Sequence, residues 1–320
     1  MRNDRAKLHH PINADRAAAQ DRPKTYVLSS RPVDAPSLTG GLYLVATPIG
    51  NLRDITLRAL ETLAAADVIA CEDTRVTHKL LDHYGITTPL TPYHEHNAAA
   101  ARPKLLARLV AGETVALVSD AGTPLVSDPG FKLVRDAREA GHAVIAAPGA
   151  SAALAALVVA GLPTDRFFFE GFLPAKDGAR RTRIAELSPI PATLILYESG
   201  PRIARTLGAL ADGLGSRDAA VCRELTKLHE EVRRGDLSAL ARAYDEGAET
   251  RGEFVIVIAP PEADATAPSD DDVDALLLQA LQHASVKDAV SDVAAATGRP
   301  RREIYRRALA LNESGDDEGR

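Results

Sequence analysis

Cysteine is scarce in this chain, which has only two among its 320 residues. Cys71 and Cys222 each lie at the end of an apolar run that is typical of a buried strand. Two cysteines of this kind predict neither a disulfide framework nor a zinc site. The first 38 residues also lack the apolar core of a signal peptide. We therefore expect a protein of the cytoplasm.

A long uninterrupted apolar run is missing as well. Residues 143–164 contain no charged side chain and are about as long as a membrane span. However, Pro148 and Gly149 interrupt this stretch, and Pro163 lies at its end. We predict a strand, a turn and a buried helix here, and no membrane partner.

The two commonest phosphate-binding motifs are absent, because the sequence has neither a Walker motif nor G-x-G-x-x-G. Four short patches rich in Gly, Pro and small polar residues follow apolar runs instead. They are 47–51 (TPIGN), 119–124 (SDAGTP), 148–151 (PGAS) and 197–199 (YES). Open α/β sheets bind ligands beyond the carboxyl ends of their strands. Four such ends predict one shared cleft.

The composition, 45% hydrophobic and 26% charged, suits about two domains of ordinary size. From Leu42 to Ala147, predicted strands alternate with predicted helices, which indicates a parallel sheet covered on both faces. Later apolar runs, with fewer long helices between them, predict a second α/β domain. The predicted fold class is therefore α/β, with two α/β domains, a cleft between them and a small helical tail.

Changes in composition predict the domain boundaries. We predict a disordered extension over 1–40, α/β domains over 41–148 and 149–260, a linker over 261–269 and a helical tail over 270–320. Within the tail, 286–297 and 301–311 have the pattern of two short helices around a Gly-containing turn.

Five segments together resemble one known family. They are 47–56 (TPIGNLRDIT), 72–75 (EDTR), 119–124 (SDAGTP), 171–174 (GFLP) and 223–227 (RELTK). Their order and spacing resemble the bacterial enzymes that methylate the ribose 2′-oxygen of cytidine 1402 in 16S ribosomal RNA, within the tetrapyrrole methylase superfamily. The resemblance is dense from Gly41 to Pro260. It implies two α/β domains of the tetrapyrrole methylase type with S-adenosylmethionine between them, 16S rRNA of the small ribosomal subunit as substrate, and a homodimer.

The resemblance also implies which residues contact S-adenosylmethionine. By position they are Pro48, Gly50, Asn51, Gly122, Thr123, Pro124, Val126, Ser151, Ala152, Tyr197, Leu225 and Gly252. Two turns that carry an acid in most tetrapyrrole methylases have Asn51 and Thr123 here. Both departures match the ribosomal RNA branch of the superfamily, which favours an RNA substrate.

A ribose hydroxyl is a very weak acid, so a base within hydrogen-bond reach assists its methylation. The candidate catalytic residues are Asp73, Glu95 and His96, which follow predicted strands of the first domain. Each has a structural alternative: Asp73 as a helix N-cap, and 94–97 as a loop whose Asn97 caps the next helix. Two histidines two residues apart fit no strong zinc pattern, so we expect no metal.

RNA binding has to be reconciled with a formal net charge of −6. Attraction to phosphates depends on local basic patches rather than on the total charge. The candidate RNA contacts are Arg75, Lys176, Arg180, Arg181 and Arg183. The last four lie in a predicted flexible loop, for which a solvated helix start is the alternative.

Five of the six arginines of the tail are close together, at 299, 301, 302, 306 and 307. We interpret it as an RNA-contacting module and expect no DNA partner, because the segment is short and its charges are mixed. Two alternatives for the whole protein stay open. One is a methyltransferase for a small tetrapyrrole-like molecule, and the other is a non-catalytic RNA-binding or assembly protein that binds S-adenosylmethionine.

Overall fold

The computed structural model describes residues 24–262 and 270–317, with side chains as far as Leu311. The chain divides into two compact units, Met1–Pro260 and Pro261–Arg320. Within the described residues, the first unit contains a hairpin and two five-stranded sheets, and the second contains three helices.

A β-hairpin precedes the first sheet. Strands β1 (Thr25–Leu28) and β2 (Arg31–Asp34) pair antiparallel around Ser29 and Ser30, which both have positive φ, as hairpin turns require. Tyr26 is 3% exposed and packs into the core of the first sheet. The prediction of disorder was therefore wrong for residues 24–40, because one buried tyrosine side chain anchors a segment that has no helical periodicity. Residues 1–23 lie outside the described residues.

The first sheet is parallel throughout, as predicted. Its strands are β3 (Gly41–Val45), β4 (Val68–Cys71), β5 (Leu90–Pro92), β6 (Thr114–Leu117) and β7 (Val144–Ala147), in the order β5-β4-β6-β3-β7. The central strands β4 and β6 are buried along their whole length, as expected where helices cover both faces. Those helices are α1 (Leu57–Ala65), α2 (Thr74–His83), α3 (Ala98–Val110) and α4 (Phe131–Glu139). The sequence did not reveal β5, which has only three residues and ends in proline.

The second sheet is mixed. Its strands are β8 (Phe167–Phe172), β9 (Thr193–Ser199), β10 (Asp218–Arg223), β11 (Glu231–Asp236) and β12 (Glu253–Ile258), in the order β11-β10-β12-β9-β8. The β8–β9 pair is parallel and the other pairs are antiparallel. Four helices accompany it: α5 (Ala152–Ala160), α6 (Asp177–Leu187), α7 (Ile203–Leu214) and α8 (Leu237–Asp245). The expectation of fewer long helices in this half was wrong, because the polar residues of α6 hide its buried positions Ile184 and Leu187.

The uncharged stretch 143–164 forms β7, a turn and α5, as predicted. Helix α5 packs against the second sheet through Ala153, Ala156 and Leu157. Among the described helices, none has both the length and the apolar character needed to cross a membrane.

The second unit consists of α9 (Asp270–Leu281), α10 (Val286–Thr297) and α11 (Arg301–Asp317). The hydroxyl of Ser285 caps α10 by accepting from the backbone N–H of Asp288, and Gly298 ends that helix with φ +67°. The three helices share one core: Val273, Leu277, Val290, Val293, Ile304 and Ala308. The two predicted helices are present, and α9 completes their core.

The hairpin yields a stability prediction. Tyr26→Ala removes a buried aromatic ring and should lower the free energy of unfolding by about 3 kcal/mol. Leu28→Ala on the same strand, where the leucine side chain is exposed, should change it by no more than about 0.5 kcal/mol. Urea denaturation of both variants measures the difference. Equal, small effects would show that the hairpin does not contribute to the core.

Candidate functional site

A cleft of about 360 Å³ lies between the two sheets of the first unit. Loops after β3, β6 and β7 form one wall, and the ends of β9, β10 and β12 form the other. The lining residues are Ile49, Asp120, Ala121, Gly122, Thr123, Val126, Ser127, Asp128, Ser151, Ala152, Phe172, Tyr197, Glu198, Ser199, Cys222, Glu224, Leu225, Lys227, Gly252, Glu253, Phe254 and Val255. All four patches singled out in the sequence therefore contribute to one cavity.

Hydrogen bonds tie three of these loops together. The backbone N–H of Thr47 donates to the carbonyl of Gly122 over 2.9 Å, and the N–H of Gly122 donates back over 3.0 Å. The Thr123 hydroxyl donates to the carbonyl of Ala150 over 3.2 Å. The backbone N–H and carbonyl of Gly122 are thus both used to bind Thr47 within the fold.

Backbone strain concentrates in two loops of the cleft. Leu125 and Ser127, after β6, have φ values of +73° and +63°, and Glu224 and Thr226, after β10, have +50° and +67°. Outside the hairpin turn, these are the non-glycine residues of the described ranges with positive φ. Such conformations are costly for residues with a Cβ and cluster at functional sites. The two strained loops therefore support a functional role for the cleft.

The charged side chains that line the cleft are mostly acidic. They are Asp120, Asp128, Glu198, Glu224 and Glu253, with Lys227 as the one cation among the lining residues. The Lys227 ammonium lies 2.7 Å from Glu224 Oε1 and 2.8 Å from Glu253 Oε2. Glu198 is buried, 3.2 Å from the guanidinium of Arg202. Asp120 and Asp128 have no cationic partner among the described side chains, so the walls keep a negative charge that suits a cationic ligand.

Burial raises the pKa of Asp128 from 3.8 to about 6, with repulsion from Glu72 as the next cause. Burial also raises the pKa of Glu72, and the nearby charge of Asp120 adds to this effect. Asp120 Oδ1 accepts a hydrogen bond from the backbone N–H of Asp73 over 3.0 Å. Three carboxyls thus gather at the ends of β4 and β6, and Asp128 accepts a proton near neutral pH.

Aromatic rings form the wall near helix α5. The Tyr197 hydroxyl accepts from the backbone N–H of Ala153 over 3.2 Å at the start of that helix. Phe169 and Phe172 pack edge-on against the Tyr197 ring, with centroids 4.9 and 5.7 Å away. This packing holds the Tyr197 ring in place in the cleft wall.

A second cavity of about 290 Å³ adjoins the first. Its lining residues are Thr47, Pro48, Ile49, Gly50, Leu52, Val76, Thr77, Lys79, Leu80, Ser119, Asp120, Ala121, Lys227 and Glu253.

The residues predicted to contact the cofactor do not all line the same cavity. The first cavity includes Gly122, Thr123, Val126, Ser151, Ala152, Tyr197, Leu225 and Gly252, whereas Pro48 and Gly50 line the second. Asn51 and Pro124 line neither. The Asn51 side chain instead accepts from the backbone N–H of Arg53 and caps a short 3₁₀ helix. Gly50 makes room for a protein side chain, because a Cβ there would lie 2.4 Å from Cγ of Lys227.

The three predicted catalytic residues lie outside both cavities. Asp73 caps α2, as in the structural alternative, and hydrogen bonds from the Arg75 side chain lower its pKa to about 2. Glu95 and His96 are exposed beyond the edge strand β5. Asn97 does not cap α3; its Oδ1 accepts from the backbone N–H of His94 over 2.9 Å. In the described ranges, no group of three His, Cys, Asp or Glu side chains is arranged to hold a metal.

The basic segment predicted to be a loop is the helix α6. Arg180 is buried and bonds the carbonyl of Ala175 and the carboxylate of Asp177. Arg183 pairs with Glu170 and Glu186 over 2.7 and 2.6 Å. The prediction of RNA contacts was therefore wrong for Arg180, whose guanidinium is inaccessible, and Arg183 is neutralised.

Lys176 and Arg181 are exposed on α6 and form no ion pair with the described side chains. Arg75 is also exposed, although its guanidinium pairs with Asp73 over 2.6 Å. These three remain candidate RNA contacts.

Sequence reasoning missed Asp120, Asp128, Glu253 and Phe172 as site residues. Asp120 lies inside a patch that was singled out, so its position after β6 was a usable signal. Phe172 lies in the segment 171–174 that carries the family resemblance, so its position was also a usable signal. Glu253 enters the cleft only through the pairing of β12 with β9, which no local pattern indicates.

Comparisons with known proteins place this cleft in a class of methyltransferases. The family model described as Tetrapyrrole (Corrin/Porphyrin) Methylases matches residues 41–241, and the chain belongs to that family. A second model, described as RsmI C-terminal HTH domain, matches residues 267–312. The predictions of the fold and of a methyltransferase are confirmed.

Several curated relatives carry the name Ribosomal RNA small subunit methyltransferase I. The protein of Mesorhizobium japonicum is 54% identical over 90% of this chain and 98% of its own length. That of Erythrobacter litoralis is 52% identical over 87% and 97%, and that of Escherichia coli O157:H7 is 45% identical over 86% and 96%.

Solved structures are similar in fold. Cobalt precorrin-4 methyltransferase CbiF aligns with a TM-score of 0.52 at 17% identity, over 68% of this chain and 94% of that one. The methyltransferase CobJ aligns with a TM-score of 0.52 at 20% identity, over 69% and 94%. At this identity the likeness establishes the fold alone.

The raised pKa of Asp128 yields a prediction about stability and pH. A carboxyl with a raised folded-state pKa stabilises below its unfolded pKa, and this stability is lost as the pH rises through about 6. A shift of about two units corresponds to at most about 3 kcal/mol, which we reduce to about 1–2 because the side chain is partly exposed. Asp128→Asn should therefore stabilise the protein by about 1–2 kcal/mol at pH 7.5 and by less at pH 5. Urea denaturation at both pH values measures this, and an effect independent of pH would contradict the assignment.

Proposed function

We propose that this protein transfers a methyl group from S-adenosylmethionine to the ribose 2′-oxygen of a cytidine, cytidine 1402, in 16S ribosomal RNA. One observation carries the proposal. The cleft between the sheets is lined by eight of the positions that the family resemblance assigns to the methyl donor: Gly122, Thr123, Val126, Ser151, Ala152, Tyr197, Leu225 and Gly252. The relatives named as ribosomal RNA methyltransferases, up to 54% identical, support the same substrate class.

The residues present fit S-adenosylmethionine. The donor is cationic at its sulfur, and the cleft walls carry unpaired carboxylates at Asp120 and Asp128. It also has a flat base and an apolar thioether region, for which Val126, Leu225 and the Tyr197 ring provide apolar surface. Gly122, with φ +80°, lies close to the Ile49 side chain, so the floor of the cleft has no room for a longer side chain.

When bound, S-adenosylmethionine supplies a sulfonium-activated methyl group. The protein has to align the acceptor oxygen and exclude water, and alignment alone supplies up to about 7–11 kcal/mol in well-oriented systems. The acceptor hydroxyl must also lose its proton as the new bond forms. Asp128 is the proposed base, because it lines the cleft without a cationic partner in the described residues and accepts protons near neutral pH.

The finer parts of the proposal concern partners and place of action. We propose that the enzyme acts in the cytoplasm on rRNA within the small ribosomal subunit, as a homodimer that contacts no DNA. Exposed Arg75, Lys176 and Arg181 are the proposed RNA contacts of the first unit. Methylation of a small tetrapyrrole is the weaker candidate, since the relatives with high identity carry ribosomal names.

The experiment is transfer of labelled methyl groups to small ribosomal subunits from a strain that lacks the enzyme. We expect one methyl group per subunit, at the ribose of a single cytidine. Transfer to a tetrapyrrole instead would favour the second candidate. Tight S-adenosylmethionine binding without any transfer would favour a non-catalytic protein.

Gly122→Asp tests the placement of the donor. The substitution puts a side chain on a residue with φ +80° and adds a carboxylate at the cleft floor, so we expect at least a 100-fold loss of S-adenosylmethionine affinity. Gly141→Asp is the matched control, because Gly141 has φ +79° and no atom within 4 Å of the added Cβ. Calorimetry on both folded variants measures the difference. Equal affinities would place the donor elsewhere.

A further inference from the structure

The second cavity is not explained by the methyl donor. It shares Ile49, Asp120, Ala121, Lys227 and Glu253 with the first cavity, so the two meet along one boundary. The rest of its wall comes from other residues of the loop after β3, from Ser119 and from helix α2, and no residue of α2 lines the first cavity. A molecule seated in it would therefore lie beside the donor cleft.

The walls of this second cavity combine apolar surface with two lysines, Lys79 and Lys227, and two carboxylates, Asp120 and Glu253. Leu52, Val76 and Leu80 provide apolar side chains. Lys79 is exposed at its edge and forms no ion pair with the described side chains, and Lys227 borders it from the second sheet. An apolar pocket with a free ammonium at its rim fits a nucleoside whose phosphate remains near solvent.

Asp120 determines how the ribose of such a nucleoside would be oriented relative to the donor cleft. Its Oδ1 accepts from the backbone N–H of Asp73, which holds the carboxylate in place. Its Oδ2 has no hydrogen-bond partner among the described residues and is left to accept from a ligand hydroxyl. Since Asp120 lines both cavities, a ribose hydroxyl bound to it would face the donor cleft.

We propose that the second cavity binds the acceptor nucleoside of the RNA, with Asp120 as a positioning residue for the ribose and Lys79 as a phosphate contact. This inference rests on the proposed function and specifies where its substrate binds. It makes Pro48 and Gly50, expected to contact the donor, part of the acceptor side.

The test fills the second cavity without touching the first. Val76→Trp should raise KM for small ribosomal subunits at least 10-fold, while calorimetric affinity for S-adenosylmethionine stays unchanged. Val110→Trp is the matched control, because Val110 is exposed on α3 and lines neither cavity. Lys79→Glu, a second variant, should weaken subunit binding and reduce its salt dependence, whereas Lys132→Glu on α4 should do so less.

The outcomes separate the two proposals. Unchanged KM and subunit affinity in both cavity variants would overturn the acceptor site while leaving the proposed function intact. Loss of donor binding in Val76→Trp would assign the cavity to the donor and also overturn it. Absence of transfer by the unaltered protein would refute the proposed function, and the acceptor site with it.

An independent observation concerns the arginines of the second unit. Arg307 lies 2.7 Å from Asp274 and 2.8 Å from Asp270, and Arg299 lies 3.1 Å from Glu303. These two arginines are therefore engaged in ion pairs within the three-helix unit. Because Arg299 and Arg307 form ion pairs within the unit, the other tail arginines are the candidates for binding a partner molecule.

Helix α11 presents those other arginines on one face. Arg302, Tyr305, Arg306 and Leu309 follow the i, i+3, i+4, i+7 spacing and are exposed, while Ile304 on the opposite side is buried. Arg302 and Arg306 form no ion pair with the described side chains. Unpaired guanidinium groups beside an exposed aromatic ring match the composition of surfaces that bind single-stranded nucleic acid.

We infer that this face of α11 binds ribosomal RNA outside the methylation site. In the full chain, Arg302→Glu with Arg306→Glu should weaken binding to small ribosomal subunits at least 10-fold and reduce the slope of log affinity against log salt by about 1.5. Lys132→Glu with Arg138→Glu on α4 makes the same change of charge and is the control. Calorimetric affinity for S-adenosylmethionine should not change in either pair.

An unchanged salt slope in the α11 pair would overturn this inference. A larger loss of binding to duplex DNA than to subunits would overturn it as well, since it would identify DNA as the partner of the helix. A loss of equal size in the α4 control pair would show only the effect of net charge and would also count against a specific surface.

Discussion

The reciprocal hydrogen bonds between Thr47 and Gly122 hold the site together. They join the loops that follow β3 and β6, which are neighbours in the first sheet, and Thr123 extends the link to the loop after β7 through Ala150. Loops at the ends of parallel strands are otherwise free to move, since no ladder continues beyond the strands. Locked in this way, they form a continuous wall, and residues of the loops after β3 and β6 line both the first and the second cavity.

The loop after β6 in that wall contains strained backbone conformations and a partly buried carboxylate, which a purely structural loop would not need. Leu125 and Ser127 adopt left-handed backbone conformations, and burial, together with two nearby carboxyls, raises the pKa of Asp128. Each feature destabilises the folded state, so the surrounding packing must compensate for it. Part of that support comes from the core of the first sheet, because the partly buried Leu125 packs against the cluster that contains Leu117 and Leu133.

The sequence predicted the parallel sheet and the cleft because both depend on local signals. Apolar runs mark the strands, and Gly122 or Ser151 marks the turn that follows. Prediction from the sequence failed where a side chain can bind either a ligand or another residue of the protein. Arg180 and Arg183 are basic residues in a basic segment, yet their guanidinium groups serve Asp177 and Glu170 within the fold. Asp73 likewise pairs with Arg75 two residues later and caps α2, the structural alternative that the local sequence had offered.

Lys227 lies where the proposed function requires two ligands of opposite charge to bind side by side. A cationic donor needs negative walls, whereas an RNA phosphate is repelled by them. Lys227 lies on the boundary of both cavities with Glu224 and Glu253 within 2.8 Å of its ammonium. It neutralises Glu224 and Glu253, whereas Asp128 in the first cavity forms no ion pair with the described side chains. Gly50 is required for this arrangement, because any side chain there would displace the lysine.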